Sequence, residues 1–486
     1  MIIQSDTRAS WQASFDFFGR KAVVVEPQQA QLTSDAGLLP FRQLDEELGL
    51  TAQFAAVLRD SRHPQASTHS FLQMVRMRIY GILADYPDQN DHDVLRYDPL
   101  FKLLAGRSPA EQELASQPTL SRFENAIDVP SLRRLQDVFL DQFMASFSEP
   151  PRHLTFDIDV FDDPTHGQQQ LTFFHGYYDQ YQYLPRVITC QENDLVVMVC
   201  LLYGTAHATL GIEDDLEYLL RRLREKWPDI HSSFRGDSGF ATPQTYTLCE
   251  KLGMDYTLGL AMNAVLKRRS DALLQEAVRN YEETGRPQRL FTAFWYQAAS
   301  WPQARWTIVK AEAHAQGTNR RAVVTNRPGA ALLPQATYDE YTERGESENR
   351  NKELKCGLQA DRLSDHRYMA NLFRLYLHAL AANLLARLRA VVADPPPPTR
   401  PSELPTEALD GKDRRDYFNH RRERDPLGEG QPCTWRSRLI KVAAEILVRA
   451  RRIIVRLASS WPYLEHYRQV TQAVLAFPSA AGSESG

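Results

Sequence analysis

At 486 residues the chain exceeds one compact domain, and about two to four units are expected. Hydrophobic residues at 43% and charged residues at 24% exclude a disordered or fibrous chain and leave an ordinary globular one. The net charge of −4 excludes a uniformly basic nucleic-acid binder, but eight Arg or Lys face only Glu445 and Glu465 between Cys433 and Arg468, a local surplus able to grip phosphates. Five cysteines form no CxxC pair and read as reduced thiols of a cytosolic protein. The first residues lack the basic flank and apolar run of a secretory signal.

Residues 1–148 read as a helical domain. Leu38, Phe41, Leu44 and Leu48 recur at helical spacing before Gly49, and Phe71, Met74, Val75, Ile79 and Ile82 line a second helix over 67–84. Thr119 is expected as a helix N-cap. Arg76, Arg78 and Arg122 are candidates for phosphate contact if this domain binds DNA.

From His153 the pattern changes to period two. Residues 153–159 alternate and place Asp157 and Asp159 on one strand face. Strands are expected over 172–181, 184–190 and 195–203, the last so apolar that it reads as a central strand buried on both faces. A helix over 213–226, a strand over 231–235 ending in Gly236-Asp237-Ser238-Gly239, a helix over 243–252 and a strand over 256–260 complete a core. Residues 261–337 read as an insertion, a helix over 271–284 followed by strands over 290–298, 305–313 and 321–325. Its Trp295, Trp301 and Trp306 are either core aromatics or platforms for stacking an unpaired base. Residues 368–389 form an apolar helix that carries Arg374, His378, Asn383 and Arg387, and so reads as a buried helix, not a membrane span. A stiff Pro-rich and basic linker over 393–432 leads to a basic tail over 433–486. In that tail Leu439, Val442, Ile446, Ile453 and Leu457 predict an amphipathic helix over 437–457, with Arg436, Arg438, Arg449 and Arg452 as DNA-backbone contacts.

The stretch 341–355, YTERGESENRNKELK, organises the functional reading. On a straight helix with Tyr341 at zero, Arg344 falls at about −60°, Glu348 at about −20° and Lys355 at about −40°, one stripe of aromatic, guanidinium, carboxylate and ammonium. The spacing Y-x2-R-x3-E-x6-K resembles, without mismatch, the signature of a large branch of DDE transposases of bacterial insertion sequences. Arg235-Gly-Asp-Ser-Gly-Phe240 is similar to that family's second-aspartate motif. The resemblance extends over about residues 30 to 460.

It implies an α/β fold with an RNase H-like mixed sheet over 149–392, interrupted by the β-rich insertion, with the helical N-terminal domain and a basic helical C-terminal tail attached. It also implies Mg2+-dependent DNA cleavage at terminal inverted repeats and joining of the 3′ ends to target DNA. Asp159, Asp237 and Glu348 would be catalytic and hold two Mg2+ ions (or Mn2+), with Asp157 as the alternative to Asp159 because Val160 and Phe161 depart from the family's usual residues. Tyr341, Arg344 and Lys355 would contact the DNA. The implied partners are double-stranded DNA and a second copy of the chain, with no membrane and a bacterial cytoplasmic location. Two rivals are a non-catalytic DNA-binding relative and a metal-dependent nuclease without strand transfer.

Overall fold

The computed structural model describes residues 12–17, 21–27, 30–63, 67–176, 178–327, 329–330, 332–393 and 430–478. A small hairpin of β1 (Ala13–Phe15) and β2 (Val23–Val25) precedes β3 (Leu32–Thr33). Helices follow: α1 (Leu39–Leu48), α2 (Leu50–Ala56), α3 (Phe71–Leu83), α4 (His92–Leu95), α5 (Pro99–Leu104), α6 (Gln117–Asn125) and α7 (Val129–Met144). Gly49 ends α1 at φ +67°, a left-handed conformation open to a residue without Cβ. The second expected helix starts at Phe71, not at 67, because Ser70 and Gln73 form a reciprocal capping box there. Thr119 is not an N-cap. It lies inside α6, where Ser116 takes the cap position and the two hydroxyls meet at 3.1 Å.

Two of the three N-terminal arginines expected at phosphates are buried. Arg76 reaches Thr51 Oγ1 at 3.2 Å and Glu46 at 3.1 Å. Arg78 donates to Glu124 at 2.8 Å and to the Pro87 carbonyl at 2.7 Å. Their charge is consumed by the fold, and Arg122 alone of the three is exposed.

The large sheet begins with β4 (His153–Val160) and continues through β5 (Asp163–Pro164), β6 (Phe173–His175), β7 (Gln180–Cys190) and β8 (Val196–Tyr203). Helix α8 (Ile212–Lys226), β9 (His231–Gly236), α9 (Pro243–Leu252) and β10 (Asp255–Leu260) follow. The spatial order through the centre is β8-β7-β4-β9-β10; β4, β9 and β10 are mutually parallel, whereas β7 runs antiparallel to both β4 and β8. The strand over 195–203 is therefore not central. It pairs with β7 alone, and its apolar composition reflects the helices over it.

Beyond β10 come α10 (Ala264–Arg269), α11 (Asp271–Thr284), β11 (Gln288–Tyr296), β12 (Arg305–His314) and β13 (Gly317–Thr325). Strand β13 hydrogen-bonds antiparallel to β10, so the inserted strands extend the same sheet. Alternation gives this sheet two unlike faces. Phe156, Ile158, Phe234, Tyr256, Leu258 and Val324 point into one apolar core with α8 and α9. Thr155, Asp157, Asp159, Ser233, Arg235 and Thr257 occupy the other face, which α12 (Pro334–Thr342) and α13 (Arg344–Lys352) cover.

Helix α14 (Tyr368–Val392) is long and apolar enough to cross a bilayer by length and composition, but it is a core helix. Its polar groups are matched inside the protein. Asn383 takes both the N–H and the carbonyl of Val196 on β8, at 2.7 and 2.9 Å, and Arg374 donates to Glu124 at 2.6 Å. Glu124 is fully buried between Arg78 and Arg374, which ties the N-terminal helices to α14.

Residues 394–429, including most of the expected Pro-rich and basic linker, lie outside the described residues. The helix expected over 437–457 is replaced by a β-hairpin. After α15 (Pro432–Trp435) and a π-helical turn over Arg436–Ile440, β14 (Ala444–Val448) pairs antiparallel with β15 (Ile453–Leu457), and α16 (Leu464–Leu475) ends the described chain. The physical reason is that Val442, Ala444 and Ile446 also repeat at period two, and β3 offers a strand edge for β14 to join. The turn docks tightly on the N-terminal helices. A Cβ on Gly37 would sit 1.8 Å from the Leu439 carbonyl oxygen, so only glycine permits this approach. Arg436 is buried here, donating to the Ile82 and Leu83 carbonyls at the end of α3, both at 2.9 Å, and pairing with Asp85 at 2.8 Å. It is a helix C-terminal clamp, not a DNA contact.

Breaking a buried ion pair by removing one partner strands the remaining charge. Glu124→Ala leaves two buried guanidiniums facing each other, and should cost about 3–5 kcal/mol. Thermal unfolding with hydrogen exchange on the N-terminal helices checks this; a midpoint equal to wild type would show that Arg78 and Arg374 are not held by Glu124.

Candidate active site

Strand β4 carries two acidic residues on the polar face, and the structure gives them different surroundings. Asp157 is buried and accepts a bidentate pair from Arg235 on the neighbouring β9, both bonds at 2.7 Å. Burial raises its carboxyl above the ordinary value, and Arg235 opposes the shift. Asp159, two residues nearer the open end, accepts among the described residues only its own neighbour's Val160 N–H at 2.9 Å, and the Arg344 guanidinium stands 3.9 Å away.

Asp237 follows β9 directly, where Gly236 ends the strand. Its Oδ1 accepts the Gly239 N–H at 2.8 Å, the turn-forming contact expected of an Asp before a one-turn helix. The second carboxylate oxygen is not used by that turn.

Glu348 sits on α13, half-exposed, and takes a short bond from Arg344 one turn earlier. The stretch 341–355 is not one straight helix. Helix α12 ends at Thr342, Glu343 makes a turn, α13 spans 344–352, and residues 353–357 wind as a π-helical turn. The break has identifiable anchors. Arg235 donates to the Glu340 carbonyl at 2.6 Å, and Gln191 donates to the Glu343 carboxylate at 2.6 Å. Ser347 meets Thr189 of β7 at 3.0 Å, pinning α13 to the sheet.

Burial pushes the Asp159 carboxyl from 3.8 up to about 6; the nearby Asp237 and Glu348 charges push the same way and Arg344 opposes them. The same carboxylates raise the Arg344 guanidinium's affinity for its proton against the effect of burial. Burial also raises the Tyr341 hydroxyl. Asp159, Asp237, Glu348, Arg344 and Tyr341 therefore share one electrostatic cluster, contributed by a strand, a strand end and the broken helix.

Tyr341 reaches over the sheet because β10 has a glycine below it. A Cβ on Gly259 would stand 2.7 Å from Tyr341 Oη and 3.1 Å from the Ser238 nitrogen. Lys355 lies apart from this group: the π-helical turn directs it to Asp162, at 2.5 Å, just beyond the end of β4. Arg344 bonds Glu348 one turn on, Tyr341 approaches from the preceding helix, and Lys355 turns away to Asp162.

Among the described residues, no three His, Cys, Asp or Glu side chains stand close enough to hold a metal ion as placed. Arg344 bridges Glu348 and Asp159 instead. The donor set itself suits a hard divalent cation, since it is all carboxylate oxygen on three independent elements. For Glu348 to join such a set, its bond to Arg344 must give way.

Of the three tryptophans, Trp301 is buried against Tyr246 and Tyr296 and is no base platform. Trp295 is 63% exposed on β11 and packs edge-on against Trp306 at 5.4 Å. In the C-terminal segment Arg438 lies over the Tyr463 ring, while Arg449 and Arg452 are exposed on the hairpin. Sequence reasoning missed Arg235, which holds Asp157 and the helix break together. The signal was present in the Arg two residues before Asp237, in register with Asp157 across parallel strands.

Residues 15–397 match the family described as transposase DDE domain group 1. The chain belongs to this family. The match ends before the C-terminal hairpin. No curated protein matches the chain. One solved structure with a likeness is a cryo-EM structure of a piggyBac transposase synaptic complex with hairpin DNA. It is 14% identical over 74% of this chain and 77% of its own, with a TM-score of 0.39, a likeness too loose to carry an argument.

Two outcomes test the site geometry. The Asp159 carboxyl binds its proton more tightly folded than unfolded, so stability is present below about pH 4 and lost as pH rises through about 6. Asp159→Asn cannot ionise, and should stabilise the metal-free protein by about 1–3 kcal/mol near pH 7, with the gain vanishing at about pH 4. Thermal midpoints across that range read it, and no gain near pH 7 would contradict the buried, acid-crowded placement. Separately, Gly259→Ala should destabilise through the Tyr341 hydroxyl. Adding Tyr341→Phe should recover part of the loss, a coupling of roughly 1 kcal/mol in a double-mutant cycle; strict additivity would show that Tyr341 does not lie over Gly259.

Proposed function

We propose that this chain is a DNA transposase with an RNase H-like core in which Asp159, Asp237 and Glu348 are the catalytic carboxylates. The observation that carries the reading is the placement of Asp159 at the open end of β4 and Asp237 at the end of the adjacent β9, with Arg344 standing 3.9 Å from Asp159 and bonded to Glu348. Family membership supports it, and so does the strand order β8-β7-β4-β9-β10 with β7 antiparallel between β8 and β4. The acidic residue assigned to the first position is Asp159, because Asp157 is engaged by Arg235.

Asp159, Asp237 and Glu348 would hold two Mg2+ ions, which supply stabilisation of the attacking and leaving oxygens of a phosphodiester. Arg344 has a dual part in this reading. It neutralises Asp159 and Glu348 in the protein alone, and its planar guanidinium suits a DNA phosphate when the strand enters. Tyr341, fixed over Gly259, presents its hydroxyl beside Asp237 and orients the same phosphate. Lys355, anchored by Asp162, marks the next phosphate contact along the exit of β4. Cleavage at terminal inverted repeats, joining of 3′ ends, a bacterial insertion-sequence origin, cytoplasmic action at the nucleoid and a homodimer on DNA belong to this proposal.

The test incubates purified protein with DNA carrying the terminal repeats that flank its reading frame, a plasmid target and Mg2+. The expected result is Mg2+-dependent cutting and 3′-end joining, reduced at least about a thousandfold by Asp159→Asn, Asp237→Asn or Glu348→Gln, the loss of several kcal/mol of transition-state stabilisation. Cutting without joining would make the chain a nuclease. End-specific binding with no cutting by wild type would make it a non-catalytic relative.

A further inference from the structure

We propose that the β14–β15 hairpin is a wing that grips duplex DNA, its two-stranded ribbon lying in a groove with Arg449, Arg451 and Arg452 on the phosphates. This rests on the transposase reading and adds a contact surface outside the residues that match the family.

The strands close at the pair Val448 and Ile453, and beyond it the Arg449 N–H donates to the Arg452 carbonyl at 2.9 Å. Arg449 and Arg452 thus face each other across the tip, with Ala450 and Arg451 at the apex. Like charges directly opposite on paired strands are destabilising. Here they stand without compensation: all three arginines are exposed, and among the described residues no acid pairs with any of them. The nearest acid along the ribbon, Glu445, is opposite Arg456 and pairs with it at 3.6 Å. By alternation Arg449, Arg452 and Arg456 share the outer face. The other face buries Ala444 and Ile446 at the base and leaves Val448 and Ile453 about 40% exposed at the tip.

The base of the ribbon is rigidly held, which separates it from a loose basic tail. Strand β14 pairs with β3, Val442 bridges to Asp35, and Lys441 pairs with the buried Asp35 at 2.6 Å. The Gly37–Leu439 contact and the Arg436 clamp lock the preceding turn. The result is a narrow, fixed projection with a cationic tip and small apolar shoulders. A two-stranded ribbon is of a width that DNA's major groove admits. A polyanion with a phosphate row on either side of a groove matches arginines on two opposed strands, and an ordered ligand of this kind offsets the repulsion of holding them together.

Full-length protein and its Arg449→Gln/Arg451→Gln/Arg452→Gln variant, which keeps most of each aliphatic stem, are titrated onto a fluorescent terminal-repeat duplex over a salt series without Mg2+. The variant is expected to bind at least about tenfold more weakly, with the slope of log affinity against log salt reduced by about 2 to 3, since each phosphate that an arginine neutralises contributes about 0.9 to that slope. Val448→Ser/Ile453→Ser is expected to weaken binding while leaving the salt slope unchanged. Thermal midpoints no lower than wild type exclude misfolding, and a midpoint lowered in the triple variant while the serine variant still follows its expected pattern keeps the wing. Unchanged affinity and slope in the triple variant overturn it. So does loss of binding to single-stranded RNA or anionic vesicles with duplex binding intact. Asp237→Asn separates the two readings: it must abolish cutting and keep hairpin-dependent binding, so a failed wing with intact cutting sinks only the wing.

Discussion

A guanidinium buried between two strands and a helix end sets the geometry of the polar sheet face. Arg235 binds Asp157 in a bidentate pair across β4 and β9 and donates a third bond to the Glu340 carbonyl where α12 stops. Three elements far apart in the chain are thereby fixed by one side chain. The desolvation cost of burying both charges is offset only by this full set of partners. With the break at Glu343 held, α13 starts at a defined point, and Arg344 and Glu348 are delivered over the open end of β4.

The polar sheet face is an unfavourable feature by itself, since an apolar face would pack more simply under a helix. Its groups are satisfied in pairs: Asp157 with Arg235, Thr189 with Ser347, Thr257 with Thr325, and the Thr155 N–H with Glu192. Asp159 is the exception, accepting one neighbouring backbone N–H and crowded by two other carboxylates. Electrostatic stress of this kind is characteristic of functional sites. Arg344, 3.9 Å from Asp159 and bonded to Glu348, relieves part of it.

The C-terminal segment is integral to the N-terminal half. Arg436 clamps the end of α3, β14 extends from β3, and α16 packs near α1 and α14. Glu124, between Arg78 and Arg374, performs the same joining inside the core. Arginines that look like a nucleic-acid surface in the sequence, Arg76, Arg78 and Arg436, are taken up by this assembly. Arg122 and the tip residues Arg449, Arg451 and Arg452 stay exposed.

Local pattern determined a great deal. The period-two run of β4, the amphipathic α8, the Gly49 cap and the acidic residue after Gly236 are read from neighbours within a few residues, where backbone geometry dictates side-chain direction. The signature over 341–355 likewise singled out Arg344 and Glu348, because one turn of helix places them together. Other features were decided only by residues far apart in the chain, 78 positions for Asp157 and Arg235 and 193 for Asp162 and Lys355. Whether Asp157 or Asp159 stays available depended on Arg235, and where Lys355 points depended on a π-helical turn and Asp162. Whether 444–457 coils or pairs depended on the free edge of β3, since Ile, Val and Leu there satisfy both periods. Sequence spacing fixes which faces a segment can offer; the packing of the whole chain chooses which of them finds a partner.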